Sequence, residues 1–247
     1  DPLRKRKLAQ RRPPVAVSPM RAPAPNRETL AFLRALHPEP EAGWWIELKT
    51  KCPGRDGALQ SWFPAGDLVA LAVAAEAANR RGEHVWCAPN LRARHGGGTS
   101  DDVAAFPAAF VDLDVGPKKA HKTKGAALAK LRELAALAPL SAITDSGGGI
   151  HGWWFFKEPL LPEDRARWVA IQSRLVHALT GDPMLRSPHS VMRLPGTVNP
   201  KPELRGAMAR IIELHPERRW NPSDLEDVLP ALPSTSATPR DHRGPSN

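Results

Sequence analysis

Two aspartates interrupt an apolar stretch of this chain, and they constrain the fold more than any other feature. The segment FVDLDVG, residues 110–116, places Asp112 and Asp114 two positions apart. Because side chains alternate between the two faces of a β-strand, both carboxylates lie on one face. The apolar residues between and beside them lie on the other face, which we expect to pack against helices. The sequence therefore predicts a buried strand with a pair of acidic groups on its second face.

Two carboxylates this close repel each other unless something compensates their charge. A divalent cation between them would do so, as would a proton retained on one of them. Two-metal phosphoryl transfer uses paired carboxylates to hold ions roughly 4 Å apart. The alternative is a solvent-facing pair at the end of a strand, and the Asp-x-Asp pattern taken alone favours that simpler interpretation.

A glycine-rich segment follows one helix later. It reads DSGGGIHGWWFF, with Ser146 before three successive glycines and His151 just after them. Glycines allow a backbone to approach a ligand closely and to direct N–H groups at an anion. An imidazole on the same strand can donate a hydrogen bond to a phosphate oxygen. An ordinary glycine hairpin turn beside a hydrogen-bonded histidine is the alternative.

A third segment carries one more acid and two bases. It reads TGDPMLRSPHSVMRLPGTVNPK and contains Asp182 directly after a predicted helix, then Arg193 and Lys201. Arginine and lysine are natural phosphate partners, and the Pro195-Gly196 turn between these two would set their separation. A tight turn on the surface is the alternative interpretation of this stretch.

The predicted elements divide the chain into two halves. Before the aspartate strand, the sequence predicts a helix capped by Asn26, the strand pair GWWIELKTK and LQSWFPAG, an Ala-rich helix, and the short strand EHVWCAPN. From the aspartate strand onward the order is β-α-β-β-α-β, typical of an α+β sheet with helices on one face. We expect a folded body over residues 26–230, with an N-terminal α/β unit at 26–105 and a second unit at 106–230.

Both ends of the sequence are rich in proline and poor in large apolar residues. Residues 1–25 predict a disordered basic, Pro-rich arm, and residues 231–247 predict a disordered tail or linker. The formal net charge is +9, and residues 1–21 hold seven basic residues against one acid, 7 − 1 = +6, so the remainder carries 9 − 6 = +3. This balance favours an anionic partner, although the body itself is only mildly basic.

The cysteine and hydropathy patterns exclude several other classes of protein. There are 2 cysteines and no CxxC pair, which disfavours a zinc site or a disulfide framework. No apolar run approaches the roughly 18 residues of a membrane span. The sequence therefore predicts a protein without a membrane partner in a reducing compartment, the cytoplasm.

Taken together, the segments FVDLDV, SGGGIHGWW and GDP…MRLPGTVNPK resemble the archaeo-eukaryotic primase superfamily in order, spacing and β-α-β-β context. The similarity is strongest to the primase–polymerases and RepB-like replication primases of plasmids, phages and mobile elements, and it covers about residues 40–215. It implies an RRM-like catalytic sheet combined with an N-terminal α/β unit, in agreement with the predicted element order. It also implies template-directed nucleotidyl transfer on single-stranded DNA in the cytoplasm of a prokaryotic host.

The resemblance assigns roles to particular residues. Asp112, Asp114 and Asp182 match the acidic residues that bind two catalytic Mg²⁺ or Mn²⁺ ions. The residues matched to contacts with the nucleoside triphosphate (NTP or dNTP) or the template are Ser146, His151, Arg193 and Lys201. Relatives often carry a second aspartate shortly after the one matched by Asp182, and this chain has Ser187 there instead.

The implied partners are a single-stranded DNA template, a primer and nucleoside triphosphates, with a replicative helicase as an open addition. Basic grooves and stacking aromatic residues bind single strands. The candidate contacts are Arg92, Arg94, Lys118, Lys119, Lys122, Trp44, Trp45, Trp153 and Trp154. For the tryptophans a place in the core is the alternative, because tryptophan is highly buried on average.

Two other functions stay open at this point. One is a replication-associated DNA-binding module that keeps the fold without turnover, against which the three aspartates argue. The other is a different metal-dependent enzyme acting on nucleotides or nucleic acids, such as a ligase or nuclease, for which we recognise no nucleotidyl-lysine motif. The sequence leaves open the choice of ribo- or deoxynucleotides, de novo priming or extension only, the template initiation sequence, Mg²⁺ or Mn²⁺, the oligomeric state, and membership of a longer primase–helicase.

Overall fold

The computed structural model describes residues 25–232, so the predicted N-terminal arm and C-terminal tail lie almost entirely outside the described residues. The helices are α1 (Arg27–Leu36), α2 (Leu68–Arg80), α3 (Lys124–Ala135), α4 (Arg165–Leu179) and α5 (Pro222–Val228). The strands are β1 (Trp45–Lys51), β2 (Leu59–Pro64), β3 (His84–Cys87), β4 (Leu91–Arg92), β5 (Val103–Asp114), β6 (Ala142–Asp145), β7 (Gly149–Leu160), β8 (Met192–Arg193), β9 (Arg210–Leu214) and β10 (Arg219–Trp220).

The described strands form one sheet that runs in the order β8-β3-β1-β4-β5-β7-β6-β9, with β2 paired to β1 and β10 paired to β7. All of these pairs are antiparallel except β10 with β7. The long strands β5 and β7 form the centre, and Asp112 lies directly opposite His151 in their register. The sequence prediction of an α+β sheet is confirmed. The elements from β5 onward follow the predicted β-α-β-β-α-β series, except that the short strand β8 lies between α4 and β9.

Helices cover both faces of the central strands. On one face, Leu131 of α3 lies so close to Gly152 that a Cβ there would collide with it. On the other face, Phe32 of α1 packs against Trp153, with ring centroids 4.9 Å apart. The prediction of helices on one face of the second unit holds for α3, and α1 of the first unit packs on the opposite face, which carries the aspartates.

Among the described strands, only β4 covers one edge of β5, and it does so over a short stretch. Helix α4 satisfies the backbone groups there. Trp168 donates to the carbonyl of Ala108 at 2.9 Å, and the Gln172 side chain accepts from the Phe110 N–H at 2.9 Å and donates to its carbonyl at 3.0 Å. Buried backbone groups need partners, so these two side chains allow α4 to lie where a further strand would otherwise pair.

Elements of the two predicted units pair and pack with each other. The short strand β8, from the second unit, pairs with β3 of the first, which brings Arg193 opposite Trp86. Asn26, the N-cap of α1, donates to the carbonyl of Gly196, and Thr29 donates to that of Pro195. Residues distant in sequence therefore meet above the carboxyl end of β5. None of the described helices is long and apolar enough to span a bilayer.

Candidate active site

A cleft of about 380 Å³ opens at the end of β5 and β7 and collects all the acids and phosphate-binding candidates that the sequence predicts. The predicted residues that line it are Asp112, Asp114, Ser146, His151, Asp182, Arg193 and Lys201. They come from three separate segments of the chain. A cleft of this size is in the range of small-molecule binding sites.

The carboxylates occupy one side of the cleft. Asp112 is mostly buried, and its Oδ1 lies 3.6 Å from Nε2 of His151. The backbone N–H of Asp182 donates to the carbonyl of Asp112 at 2.9 Å, which anchors the third acid beside the first. Gly181 makes this approach feasible, because a Cβ there would collide with the side chain of Val111.

Lys119 lies among the acids. Its ammonium forms an ion pair with Asp114 at 2.7 Å. The hydrogen bond to Asp114 raises the pKa of Lys119, with smaller contributions from the charges of Asp114, Asp182 and Asp112. The described geometry thus pairs Lys119 with a carboxylate, and the predicted contact of this exposed lysine with DNA stays a prediction.

The glycine segment forms a tight turn between β6 and β7, in which the N–H of Ser146 donates to the carbonyl of Gly149 at 3.0 Å. Gly147 has a φ of +83°, a conformation that favours glycine. Asp145 fixes the turn from outside the cleft, accepting from the Gly147 N–H at 2.6 Å and pairing with Lys124 at 2.7 Å. The turn is therefore held in shape by charge-assisted hydrogen bonds.

Arg193 lines the same cleft as the aspartates and is almost fully buried. Its guanidinium lies 5.2 Å from the ring centroid of Trp86, and its Nη2 lies 3.2 Å from Nδ1 of His84. Burial lowers the pKa of Arg193 to about 10, against the opposing effect of Asp112, so it remains a cation at neutral pH. Burial, followed by the charge of Arg193, lowers the pKa of His84, which favours its neutral, accepting form.

Sequence reasoning missed Trp86 and Asn199, which line the cleft, and His84, which contacts Arg193. His84 and Trp86 are two positions apart on β3, so the sequence predicts that they share a face of the strand. It does not show that this face lies beside a site. Asn199 is buried and lines the cleft, and its Nδ2 donates to the carbonyl of Ser146 at 3.1 Å. It lies in the quoted TVNPK segment, but only the folded chain shows that it joins the glycine turn to the stretch before Lys201.

The acids suit a hard divalent cation in chemistry, since carboxylate oxygens are the ligands that Mg²⁺ and Mn²⁺ prefer. The Oδ1 atom of Asp112 is buried and accepts no hydrogen bond from the described residues, which leaves it free to bind a cation. Within residues 25–232, however, no three His, Cys, Asp or Glu side chains are already grouped as metal ligands. The donor set fits, and the side chains of Asp114 and Lys119 would have to move apart for all three acids to converge.

Two groups of predicted DNA contacts are wrong for a physical reason. Arg92 is fully buried and pairs with Glu47 at 2.9 Å, so no strand of DNA can reach it. Trp153 and Trp154 are likewise buried, with their ring N–H groups donating to Thr144 and to the carbonyl of Ala138. Trp44 and Trp45 are partly exposed, and their contact with DNA stays a prediction.

The sheet and its cleft define the class of fold: the chain has the fold of archaeo-eukaryotic primase–polymerase domains. The AEP domain of the cyanophage S-2L primase–polymerase has a TM-score of 0.62 at 22% identity, over 84% of this chain and 100% of that one. The catalytic domain of the primase RepB′, solved in complex with initiator DNA, has a TM-score of 0.57 at 12% identity, over 81% and 93%. A second RepB′ structure gives the same TM-score and identity over 81% of this chain and 62% of that one. Neither protein families nor curated proteins match the sequence.

Proposed function

We propose that this chain is a DNA primase–polymerase that adds nucleotides to a strand on a single-stranded DNA template, in the replication of a plasmid, phage or mobile element. One observation carries the proposal. On a primase–polymerase fold, three acids and four phosphate-binding candidates from three separate segments line one cleft. The RepB′ catalytic domain was solved with initiator DNA, which supports DNA as the partner.

The reaction is a nucleotidyl transfer. The 3′-hydroxyl oxygen of a primer, or of a first nucleotide, bonds to the α-phosphorus of an incoming nucleotide. The bond from that phosphorus to the bridging oxygen of the pyrophosphate breaks, the hydroxyl proton passes to solvent, and pyrophosphate leaves. Two Mg²⁺ or Mn²⁺ ions held by Asp112, Asp114 and Asp182 would activate the hydroxyl and neutralise the leaving group.

The other polar residues of the cleft bind and orient the nucleotide. Arg193 brings a buried cation whose Nη1 donates to no described residue, so an anionic phosphate oxygen can accept from it. His151 adds a ring donor beside Asp112, and Lys201 adds a second positive charge. Ser146 and Gly148 of the glycine turn complete the polar lining around the phosphates.

A non-catalytic DNA-binding module is the second candidate. The pairing of Lys119 with Asp114, and the lack of a ready group of three metal ligands in residues 25–232, favour it. Ser187 at the place of a frequent further aspartate points the same way. Such a module would bind single-stranded DNA and would not consume nucleotides.

Primer synthesis on unprimed single-stranded DNA tests the proposal directly. Wild-type protein and Asp112→Ala are incubated with labelled NTPs or dNTPs and with Mg²⁺ or Mn²⁺. We expect metal-dependent products from the wild type and none from the variant, whose binding of DNA should stay within about 2-fold because the change removes no cation that contacts DNA. Products from the wild type only when a primer is supplied would identify a polymerase without initiation.

Two outcomes would reject the proposal or its metal assignment. Wild-type protein that binds DNA and makes no product with either metal, with or without a primer, would establish the non-catalytic module. Undiminished synthesis by Asp112→Ala would show that the acids do not hold the catalytic metal.

A further inference from the structure

A second cleft, of about 800 Å³, meets the candidate active site at Asp182. Trp86, Asp182, Leu185 and Val191 line both clefts, so these side chains form the boundary between the two. The residues that line only the second cleft are Lys49, Pro183, Met184, Arg186, Ser187, His189 and Ser190. None of the proposed phosphate-binding residues belongs to it.

The outer wall of the second cleft is formed by residues 183–191, and buried polar side chains hold it in place. Asn90 donates to the carbonyl of Pro188 at 2.9 Å, and Gln172 donates to that of Leu185 at 2.9 Å. Arg92, whose charge Glu47 balances, donates to the carbonyl of His189 at 3.3 Å. These three donors are fully buried, so the wall is a preformed surface.

The charge of the second cleft suits a polyanion. Lys49 and Arg186 bring two positive charges, and Asp182 is the acidic residue of the lining. Neither cation forms an ion pair with a described residue. Met184 is 75% exposed at the same wall and offers an adaptable apolar contact to a sugar or base.

The position of the cleft decides which part of the substrate it suits. In an in-line transfer the attacking hydroxyl and the departing pyrophosphate lie on opposite sides of the α-phosphorus. The phosphate-binding candidates line the first cleft only. The second cleft reaches the acids at Asp182 and includes none of those candidates. A strand lying in the second cleft would therefore bring its end to the acids at Asp182 while leaving the phosphate-binding candidates to the incoming nucleotide.

We propose that the second cleft binds the nucleotide that carries the attacking 3′-hydroxyl, with Lys49 and Arg186 on its phosphates and Met184 against its sugar or base. This inference rests on the proposed function and names the site of its second substrate. The chemistry is the same for a primer terminus and for a free initiating nucleotide, and primed and unprimed reactions distinguish the two sources.

The first test is the double variant Lys49→Ala/Arg186→Ala in the full chain, measured with a primed template. We expect the primer-template concentration for half-maximal extension to rise about 10-fold or more, with the KM of the incoming nucleotide within about 2-fold of wild type. The slope of log Kd against log salt should fall by roughly 1 to 2, since the variant neutralises two fewer phosphates.

The matched control is Arg132→Ala/Lys157→Ala, which also removes two positive charges, here from exposed positions on α3 and on β7. We expect the control to leave the primer requirement unchanged. On unprimed template, a raised KM of the initiating nucleotide in the Lys49/Arg186 variant would add the free nucleotide as an occupant. An unchanged value there, with the primed defect present, would assign the cleft to primer strands. A double variant equal to its control in both formats would overturn the proposal.

A second test does not depend on turnover. A primer ending in 4-thiothymidine is annealed to template, bound to wild-type protein without nucleotides, and irradiated. We expect its cross-link to map within residues 183–190. A cross-link confined to the lysines at 118–122 would overturn the proposal even if the protein synthesises DNA. The correct cross-link from a protein that incorporates no nucleotide would instead reject the proposed function and retain the binding site.

Discussion

Arg193 combines burial, positive charge and an unused hydrogen-bond donor, and this combination makes it the most informative single residue of the cleft. Trp86 lies under its guanidinium and His84 receives one of its N–H groups, while Nη1 donates to no described residue. A buried cation without full compensation is destabilising by itself. The arrangement is explained if an anion supplies the missing partner.

Replacing Arg193 with methionine tests this balance between stability and binding. We expect the KM for nucleotide to rise about 10- to 100-fold, because a charge-assisted hydrogen bond contributes about 1.5–3 kcal/mol. The melting temperature should stay the same or rise, since the change removes an uncompensated buried charge. Steady-state kinetics and thermal unfolding measure the two effects. An unchanged KM would remove Arg193 from the nucleotide site, and a large loss of stability would assign it a structural role.

At the scale of elements, the packing of the turn after α4 against β5 places the third acid. The chain leaves α4 through Thr180, whose φ is +53°, and reaches Asp182 in two residues. A Cβ atom added at Gly181 would collide with the side chain of Val111 and would lie 3.2 Å from the carbonyl oxygen of Asp112. Close packing of this turn is therefore what brings Asp182 beside Asp112, and a side chain at position 181 would separate them.

We expect Gly181→Ala to lower the free energy of unfolding by about 1–3 kcal/mol through overpacking and to reduce synthesis at least 10-fold by displacing Asp182. Gly125→Ala is the matched control, because the nearest atom to its Cβ is 3.8 Å away and alanine favours the first turn of α3. Chemical denaturation and primer extension report the two effects. Equal behaviour of the two variants would show that the turn does not position the acid.

The end of α1 contains a second buried side chain with unsatisfied hydrogen-bonding groups. His37, its C-cap residue, is buried, and neither ring nitrogen has a partner among the described residues. Burial, followed by the charge of Arg219, lowers the pKa of His37 to about 3. Near neutral pH the imidazole is therefore uncharged in the folded protein.

The depressed pKa predicts an acid sensitivity. Below about pH 6.5 the unfolded chain binds a proton at His37 that the folded chain excludes. The free energy of unfolding is therefore unaffected by His37 above pH 6.5 and falls as the pH is lowered toward 3. Between pH 6.5 and 5 the loss should be about 2 kcal/mol. Urea denaturation at several pH values should show a shallower decline for His37→Leu than for wild type. The exposed His177→Gln serves as control and should follow wild type, and parallel curves for all three proteins would contradict the assignment.

At the scale of the whole molecule, the charge is distributed unevenly. The seven basic residues within positions 1–21 supply +6 of the net +9, and the described body carries acids as well as bases around its cleft. Non-specific affinity for DNA depends on the number of cations that contact phosphates. The two properties, catalysis and general DNA affinity, can therefore reside in different parts of the chain.

Replacing the seven basic residues of positions 1–21 with glutamine tests this separation. We expect weaker binding to single-stranded DNA and a slope of log Kd against log salt reduced by about 0.7 for each phosphate that is no longer neutralised, because fewer counterions are released. The KM for nucleotide should be unchanged, since the cleft keeps all its residues. Fluorescence anisotropy across a salt series measures the slope. An unaltered slope would identify the segment as a linker that does not touch DNA.

Local signals explain how much of the fold was predictable from the sequence. Alternation along a strand placed Asp112 and Asp114 on one face of β5, and helical periodicity placed Trp168, Ile171, Leu175 and Leu179 on the buried side of α4. Asn26 was recognisable as a cap because asparagine is a preferred N-cap residue, and its side chain accepts from the N–H groups of Glu28 and Thr29. These features depend on neighbours within a few residues, which a single sequence contains in full.

Long-range contacts decided the remainder. A basic side chain in a glycine-rich loop suggests a DNA contact, yet Arg92 is buried because β4 brings it against Glu47, 45 positions away in sequence. The pairing of β8 with β3 likewise sets Arg193 on Trp86, and the uncovered edge of β5 draws in α4 and with it Asp182. The sequence by itself determined the elements, their faces and the residue types available for chemistry, since these follow from local periodicity and side-chain character. Only the tertiary structure decided which charges are buried, which acids lie together and where two clefts meet, because those depend on packing between segments far apart in the chain.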